Sequence, residues 1–453
     1  MTDINVSPYQ YEIVSCKIET DRKTATYEVA ASVAELVLYE HIDKPYISGN
    51  LVILDDANLF ENIDFLGTEK VYIKLRVPSS DNYIRKTFYI REVESAVNTN
   101  DQAQMLVLSI IDLDYYLSSL INLQKKYDGT PAQIIKSILA DNMFWKNILM
   151  RDEPIQSAIR FIVPNMTPFG AMQVLKDRST DDMGSPFYLF ASVTDDKLRF
   201  FSLREMLDRR ALNADYSPYK YNQRTAQDDQ APPGYAAFNI TNWNYSNNEN
   251  LHKLIMNGDV GAIYEYHDPV SNLTASYKHS VDAIYSKLFA TSSVIAQAPT
   301  YDAISKLTNK AMHEFNSKVI SNVVTSRTFE DINNLVEDNS PAFHREKSVS
   351  KTMKNFLLKS SIDITVPGLN FLTSEHHMTT GNIINVESLK NYVPDGNNTN
   401  VIDKKKSGNY MIYAARHSFS GPRYEVTLTC GKLSNITGTT AGSIPTVMPS
   451  GPR

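Results

Sequence analysis

The sequence predicts an α+β protein that is mainly β, with two β-rich units, an α+β domain inserted between them and a helical insertion inside the second unit. Short segments of alternating apolar and polar residues recur in residues 11–112 and again in 237–433, which is typical of half-buried strands. Helix signals concentrate between these regions. A chain of 453 residues also exceeds what one hydrophobic core usually serves, so several domains are expected.

The first unit, residues 1–120, is predicted to be a small barrel or sandwich of six strands. One short helix is expected near Asn58–Leu66, where it would cover an open end. The predicted strands are Tyr11–Thr20, Thr24–Val33, Ile47–Leu54, Val71–Val77, Thr87–Ala96 and Gln104–Asp112.

Residues 121–235 are predicted to form the inserted α+β domain, followed by a linker. Thr130-Pro131 and Thr167-Pro168 each precede an apolar helical pattern, as an N-cap followed by proline at the first helical position. Phe187–Ser192 and Lys197–Ser202 predict a hairpin around Asp195-Asp196. The polar stretch from residue 208 to residue 233 predicts a linker or long loop.

The second unit is predicted to comprise residues 236–280 and 352–435, separated by a helical insertion at 281–351. Helices are expected at Tyr301–Val319 and Ser350–Lys359. Residues 436–453 are rich in Gly, Thr, Ser and Pro, which predicts a flexible tail. Predicted strands before the closing hairpin are Ala237–Tyr245, His252–Asn257, Gly261–His267, Leu273–His279, Ile362–Val366 and Gly381–Leu389.

The closing hairpin, Ser407–Leu433, is the strongest local signal. Tyr410–Ala414 is apolar at nearly every position, which indicates a strand covered on both faces, and the return strand alternates strictly from Tyr424 to Cys430. Ser420-Gly421-Pro422 predicts a loop of three to four residues. Nothing after Leu433 can supply a sheet, so the partner strands must come from earlier in the chain.

Composition limits the classes of function. A formal net charge of −6 argues against a specific nucleic-acid surface, and no apolar run is long enough to span a bilayer. The N-terminal residues lack the layout of a signal peptide, so cytoplasmic synthesis is expected. Cys16 and Cys430 show no metal-ligand or redox spacing and are predicted to be buried free thiols.

The residues with catalytic potential support no enzyme. Ser374-Glu375-His376-His377 could hold Zn²⁺, but adjacent histidines point to opposite sides of an extended chain and no third ligand lies nearby. Asp181-Asp182 and Asp195-Asp196 flank turns, where Asp commonly bonds its own backbone. Hydrolase and phosphate-loop motifs are lacking. We therefore predict no catalytic residue, no metal ligand and no cofactor.

Two basic features suggest contacts with partners instead. Lys404-Lys405-Lys406 is usually a solvated run, with an acidic partner surface as the alternative. Arg416 and His417 interrupt the apolar hairpin, and such residues more often mark an interface or a satisfied core pair than catalysis.

The strands resemble the central hub protein of contractile-tail bacteriophage baseplates and, more distantly, the N-terminal half of type VI secretion spike proteins. The helical stretch from Ser280 to Lys351 and the residues after Leu433 match nothing in that family. The segments that carry the resemblance are Tyr46–Asp56 with Phe65–Gly67 and Val71–Leu75; Thr167–Phe169 with Gly184–Phe190 and Leu198–Phe200; and Ser407–Tyr410 with Ala415–Phe419.

The resemblance implies a structural, non-enzymatic homotrimer with two tube-like small β-barrels in each subunit. Six barrels would then form a ring that adapts a three-fold central spike to the six-fold tail tube. Spike, tail tube, baseplate wedge and tape-measure proteins would be the partners, in a virion tail baseplate assembled in the host cytoplasm. The expected interface residues are Tyr410, Ile412, Arg416, His417 and Tyr424.

Two rival functions stay open at this stage. The Tyr-rich strands could form a carbohydrate-binding tail module, which glycan binding by the isolated chain would reveal. Glu375 and His376 could instead serve a metal-dependent cell-wall hydrolase, which bound metal or inactivation by His376→Ala would support.

Overall fold

The computed structural model describes residues 7–20, 25–76, 83–100, 103–142, 147–150, 158–181, 185–221, 235–246, 251–269, 272–280, 318–323, 336–337, 341–357, 361–374, 377–389, 402–403 and 406–433. The tail at 436–453, Glu375-His376 and Lys404-Lys405 lie outside these residues. So does the helix predicted at Tyr301–Val319, except for its last two residues, which begin a strand.

The first unit consists of strands, as predicted, with two short helices. The strands are β1 (Glu12–Thr20), β2 (Ala25–Glu28), β3 (Val33–His41), β4 (Ser48–Asp55), β5 (Lys70–Arg76), β6 (Tyr83–Asn100) and β7 (Ala103–Asp112). Helix α1 (Leu59–Asn62) follows β4, and α2 (Leu113–Ser119) follows β7. Strand β3 was not predicted, because the segment expected as one strand, Thr24–Val33, is interrupted by a 3-10 turn at Ala30–Ser32.

The inserted domain has the predicted mixture of helices and strands. Both Thr-Pro signals start helices: Thr130 accepts a hydrogen bond from the Gln133 amide, and Thr167 accepts one from Gly170. The elements are β8 (Lys126–Gly129), α3 (Pro131–Asp141), β9 (Asn147–Leu149), β10 (Ile159–Ile162), α4 (Pro168–Asp177), β11 (Phe187–Ala191), β12 (Lys197–Ser202) and α5 (Leu203–Leu207).

The remaining elements include an unexpected helix. The segment His252–Asn257, predicted as a strand, is part of α6 (Leu251–Asn257), and the helix expected at Ser350–Lys359 starts earlier, in α7 (Pro341–Leu357). Also present are β13 (Tyr219–Tyr221), β14 (Asn242–Ser246), β15 (Gly261–Asp268), β16 (Leu273–Ser280), β17 (Lys318–Val323), β18 (Val336–Glu337), β19 (Ser361–Pro367), α8 (Leu369–Leu372), β20 (Ile383–Ser388), β21 (Gly408–Ser420) and β22 (Arg423–Lys432).

Strands from both units form a single sheet. Its order is β14-β19-β22-β21-β3-β4-β7-β6-β5-β1-β2, with β20 also paired to β21 and β13 paired to β20. All strands of the first unit lie on one side of the β21–β3 pair, and those of the second lie on the other. The described pairs give an open order from β14 to β2, so closure into two barrels stays a prediction.

Three strands placed near the second unit form a separate sheet. Strand β15 pairs with β16 and with β17. The buried face of this sheet packs against α7, where the hydroxyls of Tyr264 and Thr352 share a hydrogen bond of 3.1 Å, as do those of Tyr266 and Ser348. We expected β15 and β16 to pair with the other strands of the second barrel, but the structure places them in a separate sheet.

The hairpin β21–β22 was predicted correctly except for its loop, which is only Gly421-Pro422. Gly421 has a φ of 54°, a conformation that glycine adopts readily. Strand β21 is covered on both faces by residues of the same chain. Tyr410 and Ile412 belong to the core under the large sheet, while Met411 and Tyr413 belong to a second core that includes Tyr188.

The structure confirms the prediction made for the two cysteines. Cys16 and Cys430 are buried free thiols in the core of the large sheet. Among the described residues, no helix has both the length and the apolar character needed to cross a bilayer.

Candidate functional site at the seam of the large sheet

The two units are joined by the antiparallel pairing of β3 with β21, which we call the seam. It runs from Ala414 opposite His41 to Ser420 opposite Glu35. Gly49 on β4 lies so close to β3 that a Cβ atom there would overlap the carbonyl oxygen of Val37. The strand that β3 contributes to the seam is thus held closely against β4 on its other side.

Glu40, His417 and Tyr424 form a buried polar group under the seam. Nδ1 of His417 and the hydroxyl of Tyr424 share a hydrogen bond of 2.7 Å, and Nε2 of His417 lies 3.5 Å from Oε1 of Glu40. The side chains of Glu40 and His417 are completely buried. Because solvent does not reach them, they interact with each other rather than with a substrate.

Glu40 also binds the inserted domain and the loop before β20. It accepts hydrogen bonds from the amide of Val193, from the hydroxyl of Ser192 at 3.1 Å and from the amide of Thr380 at 3.4 Å. Burial alone would raise the pKa of Glu40, but the His417 ring and the Val193 and Ser192 donors outweigh it, so the pKa lies below its usual value. One carboxylate therefore links three parts of the chain.

A second ionic contact fastens two helices to the end of β3. The Lys176 ammonium on α4 lies 2.7 Å from Oδ1 of Asp43, and that of Lys354 on α7 lies 3.2 Å from the same atom. Burial would raise the pKa of Asp43, but the charges of Lys354 and Lys176 lower it overall. Lys354 also lies 4.6 Å from the ring centroid of Tyr188.

A third contact attaches the turn between β11 and β12 to β6. The buried ammonium of Lys86 donates to the carbonyl of Ser192 at 3.0 Å and to Asp196 Oδ1 at 2.9 Å. Asp195 pairs with both terminal nitrogens of Arg199, at 2.9 and 2.8 Å. These aspartates therefore neutralise separate cations and do not form a catalytic pair.

The structure buries four of the five predicted interface residues within a single chain. Tyr410, Ile412, His417 and Tyr424 are each fully buried, whereas the Arg416 side chain is 50% exposed and lies 3.8 Å from Glu35. Of this set, only Arg416 is exposed. Tyr410 and Ile412 pack in the core of the large sheet, and His417 and Tyr424 lie under the seam.

Sequence reasoning did not find Glu40, Asp43 or Lys86. Glu40 lies in the unpredicted strand β3, and its one available signal was a carboxylate directly after the run Leu36–Tyr39. Lys86 interrupts the inward-facing positions of β6 between Ile84 and Phe88. A charged residue on the apolar face of a strand is the pattern that would have revealed both.

Of the residues considered for catalysis, His377 lies near Asp195, because Arg199 donates hydrogen bonds both to the His377 carbonyl and to the Asp195 carboxylate. Asp181, expected to be solvated, is buried, accepts a hydrogen bond from the Ser185 amide at 2.7 Å and lies 3.3 Å from Arg204. Asp182, Glu375 and His376 lie outside the described residues. Within the part of the chain that the structure describes, no group of three His, Cys, Asp or Glu side chains is arranged to hold a metal ion.

The large sheet ends at strand β14 on one side and at strand β2 on the other. In the described pairings β2 bonds only to β1, and β14 bonds only to β19. Each terminal strand therefore presents one edge of backbone donors and acceptors that a further strand could pair with.

The chain is similar in fold to solved phage tail proteins. A tail protein from Neisseria meningitidis is 13% identical over 94% of this chain and 97% of its own, with a TM-score of 0.49. A 43 kDa tail protein of prophage MuSo2 from Shewanella oneidensis is 9% identical over 92% of this chain and 98% of its own, with a TM-score of 0.49.

A component of the type VI secretion system of E. coli, itself similar to tail proteins of bacteriophage T4, is 10% identical to this chain. The match covers 91% of this chain and 77% of that protein, with a TM-score of 0.40. No protein-family model and no curated sequence matches the chain.

Proposed function

We propose that the chain is a structural, non-enzymatic hub of a contractile phage tail baseplate. It would act as a homotrimer that adapts a three-fold central spike to a six-fold tail tube. Spike, first tube ring, wedge proteins and the tape-measure protein would be its partners, in a virion baseplate assembled in the host cytoplasm.

The seam is the observation that carries this proposal. A hub of this kind needs two β-rich units side by side in each subunit, so that three subunits supply six positions. The pairing of β3 with β21 holds one unit on each side of a shared sheet. Loosely linked units could not keep a fixed spacing around a ring.

The terminal strands β2 and β14 provide a means of closing the ring. Open sheet edges favour aggregation in a monomer, but in a closed ring each edge pairs with a neighbouring subunit. The exposed edges at opposite ends of the sheet order support head-to-tail contacts between copies.

The buried ionic contacts support a mechanical role. Glu40, Asp43 and Lys86 tie the inserted domain to the sheet at separate points, through Val193, Lys176 and Asp196 respectively. A displacement of the inserted domain would then be transmitted to the sheet rather than absorbed by a flexible linker. This suits a component that passes force from spike to tube during contraction.

Imaging of the assembled particle tests the proposal. We expect averaged images of tails to place this chain on the axis at the tail end, in three copies between the spike and the first tube ring. A position on the sheath, a peripheral fibre or the capsid would contradict it.

A further inference from the structure

Three basic side chains cluster on the outer face of β1, β5 and β6. Lys74 lies directly opposite Arg85 in the β5–β6 register, and Lys17 lies opposite Tyr72 in the adjoining β1–β5 register. Ile73 and Leu75 alternate with these residues and are buried in the core, so Lys74 faces outwards. We call Lys17, Lys74 and Arg85 the basic cluster.

The arrangement places like charges side by side. Residues directly opposite on antiparallel strands have Cβ atoms only about 4.5–5.5 Å apart, and like charges there are destabilising. Lys74 and Arg85 are such a pair. A role in binding is one physical reason for an exposed sheet face to carry such an unfavourable pair of charges.

Two carboxylates beside the cluster are engaged with other groups. Glu12 pairs with Arg76, and Glu28, although opposite Lys17 in register, accepts hydrogen bonds of 2.8 Å from the Ser15 hydroxyl and the Cys16 amide. Across the described residues, no carboxylate forms an ion pair with a member of the basic cluster. The Lys74 ammonium lies instead 3.9 Å from the ring centroid of Tyr83.

Exposed tyrosines flank the cluster. The side chains of Tyr72 and Tyr83 are 36% and 41% exposed. Tyrosine and arginine are enriched in the central parts of protein interfaces, because they combine a large contact area with hydrogen bonding. The face therefore has both the charge and the rings that a protein interface uses.

We propose that the basic cluster is a docking site for a carboxylate-bearing surface of a partner protein. A carboxylate placed between Lys74 and Arg85 would neutralise both and remove their repulsion. The exposed Tyr72 and Tyr83 beside these cations are of the residue type that protein interfaces favour, so a protein carboxylate is the occupant we infer. The inference goes beyond the proposed function, since it holds whatever assembly the chain joins.

Binding of a fluorescein-labelled oligoglutamate peptide to the full chain, followed by anisotropy, tests this site. We expect binding at low ionic strength that disappears at about 1 M NaCl, where the Debye length is about 3 Å. Arg85→Glu should weaken it at least about tenfold, because it removes one cation and adds a repelling carboxylate.

Thermal unfolding of the same variant separates binding from structure. Arg85→Glu places opposite charges across β5 and β6, so its Tm should equal or exceed that of the parent chain. A merely structural arginine would give a lower Tm. Lys136→Glu, an exposed position on α3 with the same charge change, is the matched control and should leave peptide binding within about twofold.

Three outcomes would overturn the proposal. The parent chain could fail to bind the peptide at low salt, or Arg85→Glu could bind it as well as the parent does. A single-stranded oligothymidylate could also bind more tightly than the peptide, which would assign the face to nucleic acid. None of these outcomes depends on trimer formation, so they are distinct from a failure of the hub proposal.

Discussion

At the residue scale, the molecule depends on a few buried charges that each contact several segments. Glu40 is the most connected of them, because it interacts with β21, with the residues after β11 and with Thr380. A buried carboxylate without partners would be strongly unfavourable. Its partners come from positions more than a hundred residues away, so the group exists only in the folded chain.

Glu40→Gln should therefore destabilise the protein in a pH-dependent manner. In the folded protein the pKa of Glu40 lies below its usual value, whereas a glutamate in the unfolded chain has a pKa of about 4.3. The ionised carboxylate therefore stabilises the fold above that pH. This contribution is lost as the pH falls through the folded pKa. We expect a loss of about 3–5 kcal/mol at pH 7 and a smaller difference from the parent in acid.

Urea unfolding at both pH values measures this effect. The matched control is Glu35→Gln, a half-buried carboxylate 3.8 Å from Arg416, which should cost about 1 kcal/mol or less. Equal losses for the two variants, or a loss at Glu40 that does not change with pH, would show that the carboxylate charge is unimportant.

At the element scale, the hairpin and the Thr-Pro helices could be predicted because their signals are local. Alternation, a Gly-Pro turn and an N-cap are each contained within about ten residues. Strand β3 was missed, since the pattern of β2 appeared to continue across the 3-10 turn at Ala30–Ser32. Helix α6 was mistaken for a strand although Leu251, Leu254 and Ile255 have helical spacing.

Pairings between distant segments could not be predicted in the same way. Strand alternation shows which residues face a core but not which strand lies alongside. The sequence required an earlier partner for β21, and the structure provides β3, almost 400 residues before it. The contact of Glu40 with His417 follows from that pairing, and Lys86 contacts Ser192 and Asp196, over a hundred residues away, so this part of the site could not be derived from local patterns.

The pairing of β3 with β4, next to the seam, should be sensitive to added bulk at Gly49. Gly49→Ala should cost about 3 kcal/mol or more, because the new Cβ would overlap the Val37 carbonyl oxygen and two backbones would have to separate. The control is Gly421→Ala at the hairpin turn, where the cost is the left-handed φ of 54°, about 1–2 kcal/mol. Denaturant midpoints compare them, and a smaller cost at Gly49 would contradict the close approach of β3 and β4.

Strand β21 should not tolerate a charge in its apolar segment. Ile412→Asp would place a carboxylate at a fully buried position, so we expect neither a folded second unit nor any assembly of copies. The control is Ile402→Asp, since Ile402 is 44% exposed, and this change should stay within about 0.5 kcal/mol. Circular dichroism and size-exclusion chromatography distinguish the two, and normal assembly of the Ile412 variant would refute the role given to β21.

At the scale of the whole molecule, one large sheet contains strands of both units. Helices α1 and α8 each follow a strand of this sheet, and the first residue of each, Leu59 and Leu369, packs in its core. In each unit a short helix thus follows a strand and places its first residue in the shared core.

Measurement of the mass of the purified full chain in solution, by light scattering coupled to size exclusion, tests the central claim most directly. We predict a stable particle of three times the 51.1 kDa chain mass, alone or on addition of the spike protein of the same particle. A stable monomer that binds neither spike nor tube protein would contradict the hub assignment.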